Sequence, residues 1–245
     1  MTKNITTMHR FFVSPSSIQN QEFSTNDPEL CHQLSKVLKM RRGEKIILCD
    51  NTEHEYGAEL ENVSKKECTA KILSKTNKPD ISSERAIHLF VPPLKNPSRW
   101  EWMVEKCTEI GVASFTPLIT ERTEVKELRK IDRLERIIKE AAEQSGRTKL
   151  PFLHPPIRLS NCFTENRKPK TTNLIATLTP NAKPIRSTEA INRISTNLFI
   201  GPVGDFSPAE IQLALEHKFY PVTLGSQVLR TETAAIVAST LIFQS

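Results

Sequence analysis

The chain has 245 residues, 38% of them hydrophobic and 25% charged, a globular composition that argues against disordered, collagenous and membrane-spanning classes. Its formal net charge of +6 arises entirely beyond residue 84, because residues 1–84 carry 12 cations and 12 anions; such an excess is compatible with nucleic-acid binding, but many enzymes share it. Five scattered cysteines, at 31, 49, 68, 107 and 162, argue against a disulfide framework, and the polar start around Lys3 lacks a signal-peptide stretch, so a cytoplasmic location is expected.

In chain order, Arg10–Val13 reads as a short strand. Asp27 can cap a helix that runs to about Met40, with Leu30, Leu34, Val37 and Leu38 at helical spacing before Gly43 stops it. Lys36, Lys39, Arg41, Arg42 and Lys45 then place five cations within ten residues. They can be a phosphate-binding patch or simply a solvated helix end. Lys45–Cys49, Tyr56–Leu60 and Glu67–Ser74 follow as strands, and a helix before a small meander implies a barrel-like module over residues 1–75. The polar stretch 76–84 reads as a linker.

From residue 85 to 245 strands alternate with helices. Ala86–Val91 is an apolar strand; Asn96-Pro97 opens a helix closed by Gly111; Val112–Ile119 is a strand; Ile131–Gln144 is an amphipathic helix. Strands follow at Asn173–Leu178, Asn197–Ile200 and Pro221–Leu224, a capping box at Ser207-Pro208-Ala209-Glu210 starts one helix, and Thr233–Phe243 forms the last. Such alternation predicts an α/β domain with a mainly parallel sheet.

Dinucleotide, phosphate-loop, G-x-S-x-G, H-E-x-x-H and C-x-x-C signatures are missing, and the histidines show no metal-ligand spacing, so no metal is expected. Glycine is more informative. Gly201-Pro202-Val203-Gly204 follows one apolar strand and Gly225 follows another, so two strand ends carry turns where a backbone can approach a ligand or merely reverse direction. At the next junction, Leu224–Ala234, Arg230 sits where a helix start disfavours a cation, while Glu232 can be a simple dipole partner.

Taken in order, Arg10–Val13, Val37–Met40 before Arg42-Gly43, Lys106–Val112, Thr116–Leu118, Glu140–Arg147, Ile200–Pro202 and Leu224–Ala234 resemble the RsmE family of ribosomal RNA methyltransferases, in the SPOUT superfamily. The resemblance implies an α/β, SPOUT-type knotted methyltransferase domain at 85–245, preceded by a small PUA-like RNA-binding β-barrel at 1–75. It further implies S-adenosylmethionine (SAM) as cofactor, a homodimer, and methylation of uridine N3 in 16S ribosomal RNA of the small subunit. By position, the cofactor pocket then involves Leu178, Ile200, Gly201, Pro202, Gly204, Leu224, Gly225, Val228 and Leu229. Transfer to N3 requires loss of a proton and stabilisation of a uridine anion, for which Arg230 and Arg147 are candidates, with Glu232 as orienter or proton acceptor. Lys36, Lys39, Arg41 and Arg42 are the expected RNA contacts. Two departures from the family pattern stand out: Val203 and Asp205 replace Glu and Gly in a Gly-Pro-Glu-Gly-Gly loop, and Gln227 replaces a basic residue. A related RNA methyltransferase with another target, and an RNA-binding or ribosome-assembly protein with weakened catalysis, are the alternatives.

Overall fold

The computed structural model describes residues 8–165, 171–187 and 194–244. The chain separates into two compact units, Met1–Asp80 with Ala142–Lys149, and Ile81–Ala141 with Leu150–Ser245.

The first unit holds β1 (Arg10–Phe12), β2 (Ile18–Gln19), β3 (Glu22–Thr25), α1 (Pro28–His32), β4 (Lys45–Cys49), β5 (His54–Val63) and β6 (Cys68–Asn77). Its sheet runs β1-β4-β5-β6-β3-β2, antiparallel except for the β1–β4 pair. Alternate residues point inward, so Phe11, Phe23, Ile46, Leu48 and Leu60 form a core that Leu30 and Leu34 close from the helical side. The Asp27 carboxylate accepts from Glu29 N–H at 3.0 Å and starts α1 as expected. The helix does not continue unchanged to Met40. It widens into a π turn over Gln33–Val37, and Lys39 turns left-handed at φ +53°. The β2–β3 hairpin was not expected; it turns on Asn20 and Gln21, both at positive φ, and a glutamine gives no turn signal.

The stretch expected to be a linker is structured. β6 reaches Asn77 and α2 occupies Ile81–Glu84, so the division falls at Asp80. Residues 142–149 join the first unit because the Asp80 carboxylate accepts hydrogen bonds from the Arg147 guanidinium (2.8 Å), Thr148 N–H (3.1 Å) and Lys149 N–H (3.2 Å).

The second unit continues with β7 (Ala86–Val91), α3 (Pro97–Ile110), β8 (Ser114–Ile119), α4 (Ile131–Ser145, its last turn counted with the first unit), β9 (Phe152–Leu153), β10 (Ile157–Arg158), α5 (Leu159–Glu165), β11 (Thr171–Ala176), β12 (Lys183–Pro184), β13 (Ser195–Ile200), α6 (Pro208–Glu216), β14 (Tyr220–Thr223) and α7 (Thr231–Phe243). The sheet is parallel in the order β10-β8-β7-β13-β11-β14-β12, with β9 beside β8. Both faces are covered, as a parallel sheet requires. Ile87, Leu89 and Val91 meet Trp100, Met103 and Val104 of α3 and Ala235, Ala238 and Ile242 of α7. Phe90, Phe199 and Ile175 face the other way, toward Phe163, Ala214 and Phe219.

The expected helix starts hold. Asn96 accepts from Ser98 N–H at 3.0 Å, and both bonds of the Ser207–Glu210 capping box are made. α7 starts at Thr231, two residues earlier than expected. None of the five cysteines is in a disulfide, and all five are buried.

Candidate functional site

At the C-terminal ends of β7, β8, β11, β13 and β14 the second unit opens into a cleft of about 840 Å³. Loops that follow parallel strands converge there, the usual place for a ligand in an α/β sheet. Its walls are largely apolar, with Leu94, Leu178, Ile200, Leu224 and Val228 among them, and Lys95, Arg99, Arg122, Arg230, Glu124, Asp205 and Glu232 add charge.

The glycine loop forms one wall. Gly204 lies at φ +88° and Asp205 at +65°, so the chain reverses over two left-handed residues, and Asp205 N–H closes the turn on Pro202 O at 3.0 Å. Gly201 leaves little room for a side chain, since a Cβ there would lie 3.0 Å from Asp205 Oδ1 and 3.2 Å from the Phe206 ring, and those neighbours would have to shift to admit it. Three neighbours hold the loop. Thr231 Oγ1 donates to Gly201 O at 3.1 Å, the Arg122 guanidinium donates to Gly204 O, and Thr177 Oγ1 donates to Asp205 Oδ2 at 2.9 Å.

Every residue expected around the cofactor lines this cleft except Gly225. Gly225 occupies the adjacent turn at φ +138°, its N–H donating to Thr223 Oγ1 at 3.3 Å. Val203 and Val228 point into open space, 82% and 83% exposed, and Gln227 lines the cleft as well.

Arg230 and Glu232 both line the cleft. Arg230 is exposed at the N-cap of α7; Glu232 is 6% exposed, its carboxylate 3.7 Å from Arg99 Nε. Arg147 does not join them. It belongs to the first unit, 5% exposed, with its guanidinium on Asp80. Lys36, Lys39, Arg41 and Arg42 are all exposed in the first unit, along the π turn and the loop after it.

Arg99, Arg122, Thr177 and Thr231 were not among the expected site residues. Arg99 carried the signal that singled out Arg230, a cation in or beside the first turn of a helix. Arg122 lies in loop sequence, Thr177 directly follows β11 and Thr231 is the first residue of α7, and none of the three carries that charge signal.

The RNA methyltransferase domain family matches residues 82–243, and the RNA methyltransferase PUA domain family matches residues 34–73. The chain belongs to the RNA methyltransferase family. It is similar to the ribosomal RNA small subunit methyltransferase E of Synechocystis, 30% identical over 236 residues that cover 94% of this chain and 75% of the relative. The Bacillus subtilis protein of the same name is 27% identical, covering 94% of both chains. Among solved structures, the methyltransferase E of Neisseria gonorrhoeae, bound to S-adenosylmethionine, superposes with a TM-score of 0.86 at 28% identity, covering 97% of both chains. A Legionella pneumophila structure with SAM bound gives 0.84 at 33% identity over 96% of both. The fold class is therefore a SPOUT-type methyltransferase domain with a PUA-like domain before it, as the sequence motifs implied.

Proposed function

We propose that this RNA methyltransferase transfers the methyl group of SAM to N3 of one uridine in 16S ribosomal RNA of the small subunit. The observation that carries the reading is the cleft itself: three loops from distant parts of the chain, at 176–178, 200–205 and 224–230, converge on one cavity. The donor set fits the cofactor. Apolar Leu178, Leu224 and Val228 can flank an adenine, the turns at Gly201 and Gly204 bring backbone close, and the cations suit its carboxylate while the anions suit its ammonium. When bound, SAM supplies an electrophilic methyl group on a sulfonium.

The rest falls to the chain. In-line displacement needs the acceptor nitrogen held behind the methyl carbon, so alignment provides most of the acceleration. As the N–C bond forms and the S–C bond breaks, the N3 proton must depart. Arg230, exposed at the cleft edge, is placed to stabilise charge on a uracil carbonyl oxygen. Glu232, held beside Arg99, orients that edge or receives the proton. Lys36, Lys39, Arg41 and Arg42 supply phosphate contacts from the PUA-like domain. A homodimer, the trefoil knot of the SPOUT fold and a cytoplasmic location with the ribosome belong to the same reading. The Thr231–Gly201 bond, which ties α7 to the glycine loop, supports a terminal segment tucked against the cofactor site.

The test is mass mapping of 16S RNA from a strain lacking the gene against its parent, with re-methylation of the mutant small subunits by purified protein and SAM. Loss and restoration of one methyl group on uridine N3 is expected. A methyl group missing elsewhere would point to another target, and unchanged RNA would overturn the enzymatic reading.

A further inference from the structure

Residues 201–205 are anchored at three points, and the anchors differ in kind. At Gly201 and Gly204 neighbouring side chains bond backbone carbonyls, which any residue would offer. At Asp205 the loop contributes a side chain of its own. Asp205 holds φ +65°, a conformation uncommon outside glycine. Its carboxylate turns inward, with Oδ1 accepting from Phe206 N–H at 2.8 Å and Oδ2 accepting from Thr177 Oγ1 at 2.9 Å. Thr177 is a firm anchor. It is 5% exposed, directly follows β11, and its own N–H donates to Val222 O of β14 at 2.9 Å.

We propose that Asp205 is a positioning residue that clasps the glycine loop to the end of β11 through Thr177 and thereby sets cofactor affinity. The inference rests on the methyltransferase reading, which names the cofactor. Both joined segments line the cleft, so their separation defines its width there. A loop already held at that width binds a ligand without first having to be ordered. Val203, the exposed residue at the tip, makes no comparable tie, so the side-chain hold on this loop passes to Asp205. The clasp needs a hydrogen bond, not a charge. Asparagine tolerates positive φ, and with its Oδ1 accepting from Phe206 N–H its Nδ2 can donate to the Thr177 hydroxyl, whereas alanine keeps the strained backbone and loses both bonds.

Calorimetric titration of the full chain with SAM tests the clasp in wild type, Asp205→Ala, Asp205→Asn, Thr177→Val and the Asp205→Ala/Thr177→Val double variant. Losing a hydrogen bond to a carboxylate is expected to weaken binding about tenfold in Asp205→Ala and in Thr177→Val. The double variant should be no more than about threefold weaker than either single one, because both remove the same bond. Asp205→Asn should stay within about threefold of wild type. Unchanged affinity in both single variants, additive losses, or an asparagine variant as weak as alanine would each overturn the clasp. Thr177→Val also keeps the test decisive should Asp205→Ala fail to fold. Wild-type protein that binds no SAM would overturn the methyltransferase reading and the clasp with it; normal wild-type binding with unaffected variants would sink the clasp alone.

Discussion

Asp80 and Arg147 lie 67 positions apart and meet at 2.8 Å, with side chains 1% and 4% exposed. The carboxylate also takes the N–H groups of Thr148 and Lys149, so the charge is compensated on several sides. Removing one partner leaves the other charged and buried. Asp80→Asn is therefore expected to lower stability by about 3–5 kcal/mol. Urea unfolding followed by tryptophan-independent far-UV signal measures this, and a loss below about 1 kcal/mol would assign the pair little weight. Glu55 gives a pH dependence in the same unit. Burial works to raise its pKa, but hydrogen bonds from Lys78 (2.7 Å) and the Arg10 guanidinium (2.5 Å) outweigh it and hold the carboxyl below its ordinary value. A depressed folded pKa stabilises fully above the unfolded value and is lost as pH falls through the folded one. Acidifying from neutral pH through the carboxylate range should thus lower the urea midpoint more in wild type than in Glu55→Gln; equal losses would show that Glu55 is not linked to folding.

Among the elements, the helix starts were the most legible, because each rests on two or three adjacent residues. Asp27-Pro28, Asn96-Pro97 and the Ser207–Glu210 box all make the expected cap bonds. The two-residue strands β9, β10 and β12 were not legible, since each pairs with a strand far along the chain, while the π turn and the β2–β3 hairpin are local but carry no residue signal of their own. The cation cluster belongs to this scale too. Replacing Lys36, Lys39, Arg41 and Arg42 with Gln should leave thermal stability intact, because all four are exposed. At about 0.7 units of log–log salt slope per phosphate contact on single-stranded RNA, binding should lose about three units of slope. An unaltered slope would make the cluster a solvated surface.

For the assembled protein, the apolar remainder of α7 and α3 matters most. α7 carries Ala235, Ala238 and Ile242 in the core, yet Ile236, Val237 and Leu241 are only half-buried, and Trp102 of the adjacent α3 is 46% exposed. Such a surface favours association. The homodimer proposed above predicts a dimeric mass in sedimentation equilibrium, shifted toward monomer by Trp102→Glu or Val237→Glu. A monomer at all concentrations would refute it.

Residue order alone carried the α/β alternation, the capped helices, the two glycine turns and the Leu224–Ala234 junction, because these depend on contacts within a few positions. It also placed Arg230 and Glu232 at the cleft. What local pattern could not convey is which distant segments meet. Arg147 reads as a candidate for stabilising the uridine anion, yet in three dimensions its guanidinium is held by Asp80. Arg99 is a cation in a helix's first turn, but nothing near it in the chain shows that it stands 3.7 Å from the Glu232 carboxylate, 133 positions on. Asp205 reads as a lost glycine until Thr177 is seen beside it. Strand order in a parallel sheet is set by crossovers and packing, not by adjacency in the chain, so side chains from separate strand ends become neighbours only once the sheet has formed.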